Sequence, residues 1–199
     1  MNQIFLKYYA DQEFVGIGTG KTIKDFITHI PIKETKFIFT SHQSCFALKD
    51  FLTIPIYNAP PQIPLYFDGA DYFDGVGNVI KGGGGSLTQE KILASMSELT
   101  VILVQEHKYR ETFVGCIVPI EIIPQSMVYV MSILKKRNIK YKLRTSEGKC
   151  GPVITDLGNF IIDIEYDYDF IKECKMITGV VEHGLFLQKD FNMKIEIIK

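Results

Sequence analysis

The sequence lacks an excess of charge, a long apolar run and a leader pattern. Lys plus Arg number 22 and Asp plus Glu number 23 among 199 residues, so no net field favours a nucleic acid or an anionic membrane. No apolar run reaches the ~20 residues of a membrane span, and the N-terminus lacks the basic-then-apolar pattern of a signal peptide. We therefore expect a soluble, cytoplasmic protein with no nucleic-acid and no membrane partner, whose binding site is local.

The chain is also poor in metal-binding patterns. Its cysteines form no CxxC pair, which argues against a zinc ribbon and against a disulfide-rich secreted domain. Its histidines fall at no ligand spacing such as HExxH, although distant ligands could still meet in the fold. We expect no metal site, and we expect the cysteines to be buried thiols. The residues concerned are Cys45, Cys116, Cys150, Cys174, His29, His42, His107 and His183.

A glycine-rich stretch near the N-terminus, VGIGTGKT, lacks the glycine that would make it a nucleotide-binding P-loop. That motif needs a glycine, four residues and then Gly-Lys-Ser/Thr, and Val15 stands at its first position. The residues FVGIG are typical of a short strand, and KTIKDFITHI has helical spacing. A strand, a glycine-rich turn and a helix start predict a phosphate site, but they do not indicate which compound carries the phosphate.

Apolar runs alternate with helical patterns along the chain. The runs KFIFT, IPLYFDG, LTVILVQ and VPIEIIP are typical of βα units around a mainly parallel sheet. From about Cys116 the pattern changes to strand–helix–strand, which occurs twice and is typical of a small α+β unit. The last run, MKIEIIK, is predicted to be a strand that rejoins the first part.

Four consecutive glycines, residues 82–85, are the most unusual feature of the chain. Glycine loses much backbone entropy on folding, so a folded protein keeps such a run where the chain approaches something closely or adopts a positive φ. The alternative is a flexible linker, but a capping-box pattern, Ser86 with Gln89, follows at once. We therefore favour a second anion-accepting turn with Lys81 at its mouth, followed by a helix. The expected apolar face of that helix is Ile92, Leu93, Met96 and Leu99.

Three aspartates follow an apolar strand in LYFDGADYFDG. Asp68, Asp71 and Asp74 are interpreted first as turn formers, because Asp bonds to its own backbone and tolerates tight turns. Carboxylates at a strand end opposite two glycine-rich loops would also be placed for proton transfer. The residues alone leave the second interpretation open.

Six motifs in one order, over roughly residues 15 to 187, resemble those of the A-type ribose-5-phosphate isomerase family. VGIGTGKT is similar to that family's VGxGTGST, FDGAD to its DGAD, IKGGGGSLTQEK to its IKGGGAALTREK, and VPIEIIP to its PVEVIP. VITDLGNFIIDI and GVVEHGLF are similar to its VTDNGNxILDV and GVVxxGLF. The resemblance implies an α/β fold: a Rossmann-like domain, residues 1–116 plus 188–199, and a second, smaller α+β (ferredoxin-like) domain, residues 117–187.

The resemblance also implies interconversion of D-ribose 5-phosphate and D-ribulose 5-phosphate through an enediolate, without metal or organic cofactor, in a homodimer or homotetramer. Glu90 matches the family's proton-transferring glutamate, although an acidic residue in a first helical turn gains ~0.3–1 kcal/mol from the helix dipole without any catalytic role. Asp68 would assist ring opening, and Lys81 would face the enediolate oxygen. The implied catalytic set is Glu90, Asp68, Asp71 and Lys81. The implied substrate-binding set is Thr19, Gly20, Lys21, Thr22, Asp68, Gly69, Ala70, Asp71, Lys81, Gly82, Gly83, Gly84 and Lys108.

Departures from the family pattern cluster around the substrate. Lys21 replaces the usual serine of GTGST, Tyr72 stands where an acidic residue is common, and residues 105–107, QEH, replace the DxS before Lys108. Lys21 is therefore either a phosphate contact or a solvated lysine. Two other functions stay open, an isomerase of another short aldose phosphate and a non-catalytic sugar-phosphate sensor, and retention of Glu90 argues against the sensor. A nucleotide-binding protein is disfavoured by the incomplete P-loop.

Overall fold

In residues 1–31, 34–148 and 150–198, which the computed structural model describes, the chain forms six α-helices and thirteen strands. The helices are α1 (Asn2–Tyr8), α2 (Lys21–Ile27), α3 (His42–Ala47), α4 (Leu87–Met96), α5 (Met127–Lys136) and α6 (Tyr168–Glu173). The first strands are β1 (Phe14–Ile17), β2 (Lys36–Phe39), β3 (Leu52–Pro55), β4 (Ile63–Gly69), β5 (Tyr72–Phe73), β6 (Val79–Ile80) and β7 (Ser97–Gln105). The others are β8 (Ile117–Ile122), β9 (Tyr141–Leu143), β10 (Phe160–Glu165), β11 (Val180–His183), β12 (Leu185–Phe186) and β13 (Met193–Ile198). No helix in these ranges is long and apolar enough to cross a membrane.

Six strands form one parallel sheet in the order β3-β2-β1-β4-β7-β13. Three of the predicted apolar runs lie in it, and the last strand returns to pair with β7, as the sequence predicts. The order reverses between β1 and β4, since β2 and β3 extend the sheet on one side and β7 and β13 on the other. Such a reversal leaves a crevice at the carboxyl ends of the two strands, where open α/β sheets bind ligands. The Rossmann-like α/β fold expected from the sequence is confirmed.

Alternation of side chains along β4 assigns its residues to the two faces of this sheet. Phe67 packs into the core on the face that α1 and α2 cover. Tyr66 lies in the core on the other face, together with Leu93 of α4. Asp68 is two residues beyond Tyr66 and accepts a hydrogen bond from its hydroxyl group. The helix that carries Glu90 therefore packs on the same face as Asp68.

The second half of the chain builds an antiparallel sheet in the order β11-β8-β10-β9. Helix α5 connects β8 to β9 and α6 connects β10 to β11, so the repeated strand–helix–strand pattern is confirmed. A third sheet has the order β12-β6-β5, so that β6 pairs with both of the others. It joins β12, which follows β11, to β5 and β6, which follow β4. The domain bounds expected from the sequence, 1–116 plus 188–199 and 117–187, stay a prediction.

Two expectations about α4 are wrong. Ser86 is its N-cap, but no hydrogen bond to the Ser86 side chain caps the helix among the described residues. The reason is its backbone, with φ −112° and ψ 17°, which differs from the extended conformation of a capping serine. A reciprocal capping box is found instead at α3, between Ser41 and Ser44. On the expected apolar face, Ile92 is 43% exposed and Leu99 lies in β7, because α4 ends before it.

The expectation for the cysteines is confirmed in part. All four are free thiols, and Cys116 and Cys174 are buried. Cys45 is half-buried, and Cys150 is exposed. The prediction is wrong for Cys150 because this residue lies in the long connection between β9 and β10, among exposed polar and glycine residues.

Candidate active site

A cavity of about 350 Å³ lies at the carboxyl ends of β1 and β4, in the crevice where the strand order reverses. Its walls come from the turn after β1, the turn after β4 and the glycine run before α4. Every residue of the implied substrate-binding set except Asp68 lines it, and so do Glu90 and Gln43. The lining residues are Thr19, Gly20, Lys21, Thr22, Gln43, Gly69, Ala70, Asp71, Lys81, Gly82, Gly83, Gly84, Glu90 and Lys108.

Asp68 lies beneath the cavity and is fully buried. Its Oδ1 accepts hydrogen bonds from the backbone N–H groups of Gly69, at 2.7 Å, and Thr19, at 3.3 Å. Its Oδ2 accepts one from the Tyr66 hydroxyl. The carboxylate fits because residue 18 has no side chain, since a Cβ at Gly18 would lie 1.9 Å from Asp68 Oδ1. The first glycine-rich loop therefore makes room for a buried carboxylate, a role that its resemblance to a phosphate loop does not indicate.

Lys81 lies at the centre of the site, between two carboxyl groups. Its Nζ is 2.7 Å from Asp68 Oδ2 and 3.0 Å from Glu90 Oε2, and it donates a hydrogen bond of 2.7 Å to the carbonyl oxygen of Gly69. The residues Lys81, Asp68 and Glu90 are 3%, 0% and 2% exposed. Two carboxyl groups therefore share one ammonium group in a buried site, where charges interact more strongly than in water.

The contact between Lys81 and Glu90 is a close ion pair. Glu90 Oε2 is buried and has no hydrogen-bond partner among the described residues, although Lys81 Nζ lies 3.0 Å away. A distance alone defines an ion pair, whereas a hydrogen bond also requires a suitable angle at the acceptor. Glu90 Oε2 is therefore a buried carboxyl oxygen that Lys81 alone compensates by charge, and such an oxygen indicates either bound water or a functional role.

The electrostatics of the site distinguish Glu90 from its neighbours. Burial raises the pKa of Glu90 to about 8, and the charge of Asp68 adds to the rise, while Lys81 opposes it. Burial lowers the pKa of Lys81, but the charges of Asp68 and Glu90 outweigh this effect and hold that pKa above its usual value. Burial, followed by the charge of Asp68, raises the pKa of Tyr66 well above its usual value. Near neutral pH, Lys81 is thus a fixed cation, Tyr66 is a fixed donor, and Glu90 can take up and release a proton.

Asp71 and Lys108 form another side of the cavity. Asp71 Oδ2 accepts a hydrogen bond of 2.8 Å from the backbone N–H of Gly83, and Lys108 Nζ donates one of 2.8 Å to the carbonyl oxygen of Ala70. Burial lowers the pKa of Lys108, and the charge of Asp71 opposes that change. Gly82 has a φ of +100°, which glycine adopts at little cost. The glycine run is therefore a shaped turn and not a flexible linker.

The structure separates Asp74 and Lys21 from the residues at the centre of the site. Asp74 is a turn former, because its Oδ1 accepts hydrogen bonds from the N–H groups of Val76, Gly77 and Asn78. Lys21 lines the cavity, but its side chain is exposed, so its contact with a phosphate stays a prediction.

Within the described ranges, no group of three or more His, Cys, Asp or Glu side chains is placed to hold a metal ion.

Tyr66 and Gln43 belong to the site but were not predicted. Tyr66 stands in an apolar strand two residues before Asp68, and a tyrosine on the same strand face as an aspartate is a signal that could have identified it. Gln43 lies in the first turn of α3, where its Oε1 accepts a hydrogen bond of 3.3 Å from the N–H of Gly20. That contact depends on how α3 packs against the turn after β1, which no local sequence pattern indicates.

This arrangement can move a proton at a carbon atom beside a carbonyl group. The Glu90 carboxyl group has a raised pKa and can exchange a proton near neutral pH, and the neighbouring Lys81 ammonium can stabilise negative charge that develops on an oxygen. The polar lining and three lysines, Lys21, Lys81 and Lys108, suit a small hydroxylated anion.

The chain is similar to known proteins over most of its length. The model of the family Ribose 5-phosphate isomerase A (phosphoriboisomerase A) matches residues 36–195. The ribose-5-phosphate isomerase A of Archaeoglobus fulgidus is 37% identical, with 92% of this chain and 87% of the relative covered. The ribose-5-phosphate isomerase of Dictyostelium discoideum is 39% identical, with 87% and 81% covered. A solved structure of D-ribose-5-phosphate isomerase in complex with phospho-erythronic acid is 34% identical, with a TM-score of 0.83 and with 93% of this chain and 87% of that chain covered. The chain belongs to the ribose 5-phosphate isomerase A family.

Proposed function

We propose that this protein interconverts D-ribose 5-phosphate and D-ribulose 5-phosphate, with Glu90 as the proton-transferring base. The observation that carries the proposal is the position of Glu90 Oε2, which is buried, has no hydrogen-bond partner among the described residues and lies 3.0 Å from Lys81 Nζ. Family membership supports the choice of substrate. A solved relative in complex with phospho-erythronic acid also supports a phosphorylated ligand for the cavity.

In this proposal, Glu90 removes the proton from C2 of the open-chain aldose and returns it to C1, while the hydrogen of the C2 hydroxyl moves to O1. The electron pair of the broken C2–H bond forms the C1–C2 double bond of an enediolate, whose negative oxygen faces Lys81. Asp68 assists opening of the sugar ring, and Asp71 holds a substrate hydroxyl. A pKa of about 8 for Glu90 suits a group that must both accept and donate a proton near neutral pH.

The phosphate group is proposed to bind against the turn after β1. Thr19, Gly20, Lys21 and Thr22 line that part of the cavity, and Lys108 supplies a second cation. The N–H of Gly20 donates to Gln43 Oε1 at 3.3 Å, and a phosphate oxygen could replace this weak acceptor.

A second candidate function is isomerisation of another short aldose phosphate. Lys21 stands where the family pattern has serine, and residues 105–107 replace its DxS before Lys108. Both changes concern segments beside the cavity, so they favour a test of several sugars.

An assay for ketose formation tests both candidates directly. We expect the highest kcat/KM with ribose 5-phosphate, compared with an aldotetrose phosphate and an aldohexose phosphate. A higher value with another sugar would support the second candidate. Binding of ribose 5-phosphate without turnover by the unmodified protein would support a sugar-phosphate sensor and contradict the proposal.

We further propose that the enzyme is a cytoplasmic homodimer or homotetramer. All four cysteines are free thiols, which persist in a reducing compartment. On α5, Val128 and Tyr129 are 74% and 55% exposed, and exposed apolar side chains of this size are common at subunit contacts. Light scattering that gives the mass of one chain, 22.7 kDa, across the working concentration range would contradict the oligomer.

A further inference from the structure

Helix α4, which carries Glu90, is held by two buried glutamates on neighbouring strands. Glu121 of β8 and Glu182 of β11 are direct partners in the antiparallel register, and they are 0% and 7% exposed. Each one bonds to a different residue of α4, Thr88 in one case and Lys91 in the other. The carboxylates therefore connect the antiparallel sheet to the helix on both sides of Glu90 in sequence.

Glu121 lies at the centre of a hydrogen-bond network that no apolar pattern requires. Its Oε2 accepts a bond of 2.5 Å from Thr88 Oγ1. Its Oε1 accepts bonds from Thr155 Oγ1, at 2.7 Å, and Asn159 Nδ2, at 2.9 Å. A buried carboxylate is costly unless each oxygen is bonded, and here both are. The network joins the first turn of α4 to β8 and to the turn that precedes β10.

Glu182 holds the next turn of α4 through Lys91, which is 8% exposed. Lys91 Nζ donates to Glu182 Oε1 at 2.9 Å, and it also donates to the carbonyl oxygens of His183, at 2.5 Å, and Leu185, at 2.9 Å. A lysine has three donors, and all three reach acceptors on β11 and β12. This attachment therefore involves several bonds, whereas the Thr88 hydroxyl has one acceptor within the described part of the chain.

Thr88 and Lys91 are three residues apart, so they lie on one face of the helix. Glu90 points away from that face, toward Lys81 and the cavity. Rotation or sliding of α4 would therefore break the bonds to Glu121 and Glu182 and would also move the Glu90 carboxyl away from the substrate. The same bonds that fix the helix thus fix the position of the base.

We propose that Glu121 is a positioning residue for Glu90, acting through Thr88, and that the Glu182–Lys91 pair completes the attachment of α4. The inference rests on the proposed function, since it needs Glu90 to be the base. Neither glutamate lines the cavity, so both act on the reaction only through the helix.

Substitutions of Thr88 test the proposal. Thr88→Val removes the hydroxyl and keeps the shape, and we expect kcat to fall roughly 10- to 100-fold, because a displacement of about 1 Å at a reacting group can cost ~10²-fold in rate. KM should stay within about twofold, since the proposed phosphate contacts in the turn after β1 and at Lys108 lie outside α4. Thr88→Ser keeps the hydroxyl and should restore kcat to within about twofold of the unmodified enzyme.

A second variant and a matched control separate positioning from a loss of stability. Glu121→Leu removes both acceptor oxygens, so it should lower kcat by a factor similar to that of Thr88→Val. The double variant should be no worse than the poorer single one, because both substitutions break the same bond. Thr35→Val is the control, because it removes another buried threonine hydroxyl, just before β2. That hydroxyl bonds to the Tyr9 hydroxyl and to the carbonyl oxygen of Gln12, and its loss should leave kcat unchanged.

Three outcomes would overturn the proposal. The first is a kcat for folded Thr88→Val within twofold of that of the unmodified enzyme. The second is a fold-loss of kcat in the double variant that equals the product of the two single fold-losses, as for independent sites. The third is an equal loss in Thr35→Val. If Thr88→Val fails to fold by circular dichroism, Glu121→Leu decides alone. Failure of the proposed function is distinguishable, because Glu90→Gln itself would then keep its activity.

Discussion

Lys81 Nζ is closer to Asp68 Oδ2, at 2.7 Å, than to Glu90 Oε2, at 3.0 Å. The ammonium therefore neutralises Asp68 first, and Glu90 is the carboxyl group whose pKa burial and Asp68 raise to about 8. Asp68 thus has the shorter ion pair with Lys81, whereas Glu90 has a pKa that lets it titrate near neutral pH. Substitutions of the two carboxyl groups should accordingly have different effects.

Glu90→Gln is expected to remove most of kcat while leaving the affinity for a phosphorylated sugar inhibitor unchanged. Glutamine keeps the shape of the side chain but cannot take up a proton, and a positioned general base contributes ~10²–10⁴ in rate, or roughly 3–5 kcal/mol of barrier. Steady-state kinetics and inhibitor titration measure the two quantities. Glu173→Gln, which changes an exposed partner of Arg137, is the control and should have full activity. A loss of less than about tenfold would place the base elsewhere, with Asp68 or Asp71 next to test.

The pH dependence of kcat/KM should follow the ionisation of Glu90. The base must be ionised, so kcat/KM should rise with pH and level off above the pKa of about 8. Asp68→Asn removes a charge that raises the pKa of Glu90, so the midpoint of the residual activity should move to lower pH. Asp71→Asn should move the midpoint less, because the charge of Asp71 raises the pKa of Glu90 less than the charge of Asp68 does. A midpoint near the ordinary glutamate value of 4.5 in the unmodified enzyme would contradict this account.

Much of the fold and of the cavity wall could be predicted from the sequence, because both depend on local patterns. Apolar runs bounded by glycine and aspartate marked β4 and the turn after it, and family motifs marked the residues around Lys81. The capping-box pattern at Ser86 was misleading, since the glycine run sets a backbone in which that serine does not cap the helix.

The rest of the site depends on contacts between distant segments. Gly18 is required by Asp68, fifty residues later, and no spacing rule connects a glycine to the carboxylate that occupies its space. Glu121 stands among apolar residues in VPIEIIP, and it is fully buried and bonded to Thr88, Thr155 and Asn159. Such networks are satisfied only in the folded state, so sequence periodicity does not report them.

Glu90 should also cost the protein stability at alkaline pH. Its pKa rises from 4.5 to about 8 on folding, so the folded state holds a proton that the unfolded state has released. The contribution of Glu90 to the free energy of unfolding is fully present below pH 4.5 and is lost as the pH rises to about 8. Glu90→Gln does not titrate, so the difference in Tm between the variant and the unmodified protein should widen in favour of the variant over that range and then stay constant. Thermal unfolding across this pH series measures it, and a gap that is independent of pH would contradict the raised pKa.

Catalysis is expected to be independent of added metal. Lys81 already lies beside Glu90, where a cation can stabilise an enediolate oxygen, so this charge does not have to come from a metal ion. Dialysis against a strong chelator should leave kcat and KM unchanged. Loss of activity that one divalent ion restores would contradict the expectation.

Lys21→Ser tests whether the lysine of GTGKT binds the phosphate of the sugar. Lys21 is exposed at the edge of the cavity, in the position where the family pattern has serine, so the variant restores that pattern. If Lys21 pairs with the phosphate, KM should rise roughly tenfold or more through loss of ~1.5–3 kcal/mol in a charge-assisted bond, with a smaller change in kcat. The dependence of KM on salt should also weaken, because the variant has lost one charge that salt would screen.

Lys24→Ser is the matched control for a change of net charge. Lys24 lies one turn further along α2 and outside the cavity lining, so this variant should leave KM unchanged. An unchanged KM for Lys21→Ser at low ionic strength would make Lys21 a solvated lysine and leave the phosphate to Thr22, Lys108 and the backbone N–H groups of the turn.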